Sequence, residues 1–330
     1  MLTCRMSLIG LSIYLFCIIQ LQCIVAVRCP VGPNERPIIG ILAQEASHRM
    51  KSLYNGTYKT YIAASYVKFL ESGGAQVVPI WQGKDVSYYE NILRQINGVV
   101  LPGGSAYFNT TNGYADSARI IYRIATDINL SGTYFPLWGA CLGFEVMTYI
   151  AAGDQYICKR CYGMNNVASP LEFKSDYRTR RLFKHAPSEI IEILNNENVT
   201  ANFHHYCVTE EDFAKVGLSN TYRVVTINRD SRDTAFISTM EHDQYPFYGV
   251  QYHPEKNSFE WADRLTGIPH SSNAIKVSQY FANFIVDEAR KNFNSFRTKD
   301  EEKESLIYNY EVTYTSSPKS SFTQCYLFEW

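Results

Sequence analysis

Between residues 38 and 152, short apolar runs alternate with segments of helical period, and this alternation constrains the fold more than any other feature of the chain. Ile38–Leu42 (IIGIL), Gln76–Ile80, Gly98–Leu101 and residues 135–138 (FPLW) are short and largely apolar throughout. Strands of a parallel sheet covered on both faces have that character. Residues 59–72, 88–96, 113–129 and 142–152 place apolar side chains at helical spacing, and the first of these segments stops at Gly73-Gly74. The alternation predicts a parallel α/β sheet with right-handed crossovers. The second half is richer in strand patterns, at 222–228, 234–239 and 247–251, and a long amphipathic helix is predicted over 273–292. Residues 298–304 are densely charged and are expected to form a linker. The apolar tail around Cys325-Tyr-Leu-Phe is expected to pack back on the domain.

The N-terminus points to a compartment. Arg5 precedes the apolar run 7–19, which is followed by two glutamines and by small residues near Ala26. The run is short of the ~20 residues a spanning helix needs. We therefore expect a cleaved signal peptide over residues 1–26 and no membrane attachment afterwards. Asn55, Asn109, Asn129 and Asn198 each open an acceptor sequon, which in a secreted chain predicts glycosylation. The net charge of −1 offers no electrostatic footprint for a nucleic-acid partner. Six of the nine cysteines follow the signal segment: Cys29, Cys141, Cys158, Cys161, Cys207 and Cys325. Cys158-Lys-Arg-Cys161 has no matching second pair for zinc and does not open a helix after the first strand, so disulfides or inert thiols are expected there.

The chemistry is concentrated in two short strings. Trp138-Gly139-Ala140-Cys141-Leu142-Gly143 lies where a predicted strand passes into a predicted helix. That is the setting of a nucleophile elbow with Cys in place of Ser. Small flanking residues permit the sharp turn, and the helix N-terminus favours a thiolate. The second string, Gly249-Val-Gln-Tyr-His253-Pro254-Glu255, follows an apolar strand. It offers a histidine for proton transfer and a carboxylate two residues on to orient it.

Together the two strings resemble the class I glutamine amidotransferase superfamily, which sets Cys, His and Glu on a flavodoxin-like sheet. Within it the chain resembles the γ-glutamyl hydrolase family, through PIIGILAQE (37–45), YIAASYVKFLES (61–72), LPGGS (101–105), FPLWGACLGFE (135–145), ANFHHY (201–206), FISTME (236–241), YGVQYHPEKN (248–257) and SSFTQCYLF (320–328). The resemblance implies a mostly parallel sheet with helices on both faces and a catalytic domain over 27–297, followed by the linker and tail of 298–330. It implies Cys141 as nucleophile, His253 as proton carrier and Glu255 as third member. It also implies an oxyanion hole from the N–H groups of Leu142 and the Gly103-Gly104 loop, here Gly104.

His204 matches a family histidine expected near the substrate. Arg178, Arg180, Arg181 and Lys184 form a basic run that either meets an acidic substrate tail or is solvated. Glu145 stands where amidotransferase domains carry Gln, and no synthase domain follows to receive ammonia. Both departures favour a free-standing hydrolase with water as acceptor; the resemblance implies folylpoly-γ-glutamates as substrate, a homodimer and no metal or organic cofactor, and the signal peptide and sequons imply a secreted or lysosomal enzyme. The alternatives are a glutaminase-type subunit and a catalytically silent secreted glycoprotein.

Overall fold

The structure, a computed structural model, describes residues 32–316 and 321–329. The segment read as a signal peptide, together with Cys4, Cys17, Cys23 and Cys29, lies outside the described residues.

Ten strands carry the argument: β1 (Ile38–Leu42), β2 (Thr60–Ala63), β3 (Gln76–Ile80), β4 (Gly98–Leu101), β5 (Leu137–Ala140), β6 (Glu172–Phe173), β7 (Tyr222–Arg229), β8 (Ala235–His242), β9 (Phe247–Val250) and β10 (Gln324–Phe328). Eight of them form one sheet in the order β3-β1-β4-β5-β9-β8-β7-β6. The first five are mutually parallel. The last three join antiparallel. The mostly parallel α/β architecture expected from the alternating patterns is therefore present, with an antiparallel extension at one edge.

Pleating divides each strand between two cores. Ile39 and Ile41 of β1, with Val77, Val100 and Trp138, face one side. There they meet Val67 and Leu70 of helix α1 (Ala64–Ser72) and Phe281 and Ile285 of helix α5 (Ser272–Ala289). Ile38, Leu42, Val78, Val99 and Leu137 face the other. They meet Tyr89 and Leu93 of α2 (Val86–Leu93), Ile121 and Ile124 of α3 (Tyr114–Leu130), and Phe144 and Met147 of α4 (Leu142–Ala151). Each fully buried aliphatic or aromatic side chain of this kind contributes about 1.5–3 kcal/mol. Among the described residues no helix is long and apolar enough to cross a membrane.

Two local expectations are corrected. The segment 59–72 is a helix only from Ala64; its first part is the strand β2, which pairs antiparallel with β10 from the end of the chain. Residues 299–305, expected to be a linker, form a short helix. Thr298 Oγ1 accepts the Glu301 N–H at 3.1 Å, and Glu302 is buried beneath Arg36 and Lys299. Thr298-x-x-Glu301 is the helix-start signature that the charge density obscured.

The sequons separate into two kinds. Asn55, Asn109 and Asn198 are exposed. Asn129 instead closes the end of α3: its Nδ2 donates to the carbonyls of Ala125 and Phe135, both at 2.8 Å, and its Oδ1 accepts the Phe135 N–H. A glycan there would replace one Nδ2 hydrogen and remove one of its two donated bonds.

Candidate active site

β4, β5 and β9 are consecutive in the sheet and parallel, so their carboxyl ends open at one place. In an open α/β sheet that is where ligands bind. β4 runs into Pro102-Gly103-Gly104, β5 into Cys141, and β9 into Gln251-Tyr252-His253. The three loops surround a cavity of about 330 Å³ whose lining includes Gly104, Cys141, Phe203, His253 and Lys256.

Cys141 sits between β5 and α4 with φ 50° and ψ −105°, a conformation costly for any side chain but glycine's and of the kind retained at functional sites. Surrounding contacts enforce it. Its N–H donates to Val250 O at 2.8 Å, and its carbonyl accepts the Glu145 N–H at 3.0 Å, the first bond of the helix. Gly143 must be glycine, because a Cβ there would lie 1.9 Å from Leu101 O. The elbow is thus wedged against the end of β4.

His253 Nδ1 lies 2.7 Å from Glu255 Oε1. With Glu255 ionised, Nδ1 carries the proton and donates, leaving Nε2 as the acceptor. The His253 N–H is anchored on Ala201 O at 2.9 Å. Gly103 packs between the two reactive side chains: a Cβ there would meet His253 Cε1 at 2.5 Å and Cys141 Cβ at 3.0 Å. Its N–H donates to the Tyr66 hydroxyl at 2.7 Å, so Gly104 is left to supply the loop's free N–H. Gln44, two residues past β1, donates its Nε2 to Gly103 O at 2.7 Å and fixes the loop.

Burial pushes the Cys141 thiol well above its ordinary range; the Glu145 and Glu255 carboxylates add to that, and the Leu142 N–H opposes it. Burial also lowers His253, with Glu255 holding against it. For Glu255 burial acts upward, but the charge and hydrogen bond of His253 and the charge of Lys256 outweigh it, and the carboxyl ends below its usual range. The resting site is therefore a thiol beside a neutral imidazole and a carboxylate, with the N-terminal advantage of α4 overridden by burial. Glu145, on the first turn of α4, is pushed up by burial to about 7, and Gln251 Nε2 donates to it at 3.1 Å.

His204 lies apart from the cavity lining. Its Nδ1 bonds Tyr206 O at 2.9 Å, its Nε2 faces Asn202 Oδ1 at 3.3 Å, and burial lowers it to about 3. A neutral imidazole has one N–H, which here the Tyr206 carbonyl takes; His205, not His204, is in the cavity lining. The three arginines of the basic run are also occupied, while Lys184 is exposed. Arg178 donates to Ala186 O, Arg180 pairs with Asp176 and Asp243, and Arg181 pairs with Glu241. Cys161 joins Cys207, 46 residues away, while Cys158 stays a free buried thiol, so the C-x-x-C is not a unit. Sequence reasoning passed over Tyr66, Gln44 and Lys256. Tyr66 and Gln44 lie in strings already singled out, but nothing local marks them as reaching the glycine loop.

Fold and cavity together define a class: a mostly parallel α/β protein with a cysteine at the elbow after one central strand and a His–Glu pair after the next. The chain belongs to the peptidase C26 family, whose model matches residues 37–255. It is 43% identical over 297 residues to gamma-glutamyl hydrolase of Mus musculus, covering 90% of each chain. It is 42% identical over 296 residues to gamma-glutamyl hydrolase of Homo sapiens, covering 89% of this chain and 90% of that one. To gamma-glutamyl hydrolase B of Dictyostelium discoideum it is 36% identical over 323 residues, covering 98% of this chain and 90% of that one.

Proposed function

We propose that this chain hydrolyses the γ-glutamyl bonds of folylpoly-γ-glutamates through a thioester on Cys141. The observation that carries the reading is the left-handed elbow at Cys141 opening into the same cavity as the His253–Glu255 pair. Kinship with gamma-glutamyl hydrolases over nine-tenths of the chain supports the bond type.

Cys141 Sγ attacks the γ-carbonyl carbon as its proton passes to His253 Nε2. The oxyanion is held by the N–H groups of Gly104 and Leu142. The C–N bond breaks, and His253 returns the proton to the leaving amine. Water then attacks the thioester, again giving its proton to His253, and Cys141 leaves as the thiol. Glu255 holds the imidazole in the tautomer this needs.

A secreted or lysosomal setting completes the reading. It rests on the leader over residues 1–26, the exposed sequons at Asn55, Asn109 and Asn198, and a disulfide of the sort that persists in oxidising compartments. The resemblance adds a homodimer, which sedimentation of the secreted protein would measure. The activity is tested by chromatography of products from a defined pteroyl-γ-polyglutamate. Shortened folates with released glutamate or polyglutamate are expected. Ammonia from glutamine as the favoured product would replace this reading with the amidotransferase one.

A further inference from the structure

The Cys161–Cys207 disulfide stands behind one wall of the cavity and joins the two segments that form it. One segment contributes Phe203 and His205 to the lining, and the other contributes Asn165. The segments meet in two short antiparallel ladders outside the large sheet. The inner ladder pairs Thr200–Phe203 with Asn165–Ser169, and its register shifts between Asn202 and Phe203. The outer ladder has two pairs, Tyr206 with Arg160 and Cys207 with Lys159. Between the ladders the chain bulges through His204 and His205. There the Cys161 N–H donates to His205 O at 2.8 Å and the His204 N–H to Met164 O at 3.0 Å.

The two ladders differ in what else supports them. On the inner one, Thr200 Oγ1 donates to Ser169 O at 2.7 Å, and Asn166 Oδ1 accepts the Gly267 N–H at 2.9 Å. On the outer one, Lys159, Arg160 and Tyr206 are exposed. Lys159 adds a surface ion pair with Asp212, a contact that contributes little. The core beneath is small: Cys161, Met164, Cys207 and Phe236, with Val167 packed against them. A two-stranded pair of that length is not stable in water by itself, and the half-cystines are themselves two of the four buried members of its core. The covalent bond therefore does for the outer ladder what burial does for the large sheet. The catalytic histidine hangs on the other ladder, its N–H on Ala201 O at 2.9 Å. Opening the bond loosens Phe203 and His205 and leaves that anchor in place.

We infer that Cys161 and Cys207 are positioning residues whose disulfide holds Phe203 and His205 in the arrangement that takes substrate, so that substrate affinity depends on the bond being closed. The inference rests on the hydrolase reading above. It gives a cysteine hydrolase two opposed responses to reductant. Reductant keeps Cys141 a thiol, and by opening Cys161–Cys207 it weakens binding. The enzyme binds substrate best where disulfides persist.

The test compares three forms on pteroyl-γ-glutamyl-glutamate: wild type with the bond closed, wild type reduced by a water-soluble phosphine, and Cys161→Ala/Cys207→Ala. The phosphine takes oxygen from water and becomes its oxide; the two electrons it gives up and two protons turn the disulfide into two thiols. No mixed disulfide forms on Cys141. Thiol trapping and mass spectrometry of a parallel sample count the opened bonds. The reduced wild type and the double variant should share a KM raised about tenfold, as expected when two lining side chains are ordered on binding rather than before it. Their kcat should stay within about threefold of the closed form, the signature of lost uniform binding. Phosphine added to the double variant should change nothing. KM does not depend on the fraction of protein that folds, and where the double variant fails to fold, the reduced wild type reads the same quantity. An unchanged KM once the bond is open would overturn the assignment, and so would a loss carried by kcat alone. A closed wild type inactive on this compound would instead remove the hydrolase reading. Trypsin still reads the wall in that case, since the Lys159 and Arg160 peptide bonds should become cleavable when the disulfide opens.

Discussion

Two buried polar clusters sit on this sheet, and they are satisfied to different degrees. The first surrounds Glu288 on α5. Its carboxylate accepts from the Tyr248 hydroxyl at 2.6 Å, from the Tyr134 hydroxyl and from Lys291. Nearby Arg181 spends its guanidinium on the carbonyls of His242, Tyr245 and Gln244 and on Glu241. The second surrounds Cys141. There Gln44 Oε1, Gln251 Oε1 and Glu255 Oε2 are buried without partners, and Glu145 has one amide donor. A mostly paired network of the first kind stabilises the fold. Groups left unpaired, as in the second, cost stability and are retained where a ligand completes them. The contrast predicts that substitutions near Cys141 change catalysis and those near Glu288 change stability.

The sharpest test is Cys141→Ala, which should lower kcat by about 10⁴-fold or more with the circular dichroism spectrum unchanged. Activity near wild type would erase the distinction. Next, His253→Ala should be nearly as damaging, while Glu255→Ala should be about 100-fold less so, because orienting a base contributes less than being one. The opposite ranking would reverse the two roles.

Glu145 sharpens the comparison through pH. Its folded pKa is raised to about 7 from an ordinary 4.5. Between those values the native state holds a proton that the unfolded chain has lost, so stability falls as pH rises through that window, by about 3 kcal/mol in all. Glu145→Gln should flatten this fall in urea titrations run from pH 4.5 to 7.5. It should also weaken the gain in activity expected of wild type as pH falls and a neutralised Glu145 stops opposing thiolate formation at Cys141. An unchanged pH profile of stability would show that Glu145 ionises freely.

At the mostly paired cluster, Glu288→Gln should lower the unfolding free energy by about 2 kcal/mol through weakened bonds to its two tyrosines. Its kcat/KM, corrected for the folded fraction, should remain that of wild type; a selective loss of turnover would break the division. The smallest effect concerns backbone strain alone. At ordinary positions Ala is the more stable choice over Gly, but at position 141 Cys141→Gly should exceed Cys141→Ala by about 1 kcal/mol, because only glycine is relaxed at this φ and ψ. Matched thermal melts of the two variants would read the sign.

The elements legible in the sequence were those whose signal is local. β1, β3 and β4 announced themselves as apolar runs, and Cys141, His253 and Glu255 stood in short strings at strand ends. What escaped depends on partners distant in the chain. Residues 60–63 are apolar enough for either a strand or the start of a helix, and the choice is made by β10, more than 260 residues later. Cys161 pairs with Cys207 rather than with its neighbour Cys158 because the ladder of Lys159 and Arg160 with Cys207 and Tyr206 brings the two together. Lys256 stands in the string 248–257, and nothing local shows that its ammonium lies over Phe203 and Phe322.

The pairing of β10 with β2 has a consequence for the timing of biosynthesis. Thr315, Ser321 and Phe322 form part of the cavity wall, and β10 ties that wall to the strand preceding Tyr66. A growing chain thus carries Cys141 early and His253 later, but the pocket in which they meet substrate is enclosed only after residue 328 has left the ribosome. A polypeptide halted before residue 321 would hold all three triad side chains beside an open trough. The cavity wall is accordingly completed by a segment synthesised after Cys141, His253 and Glu255.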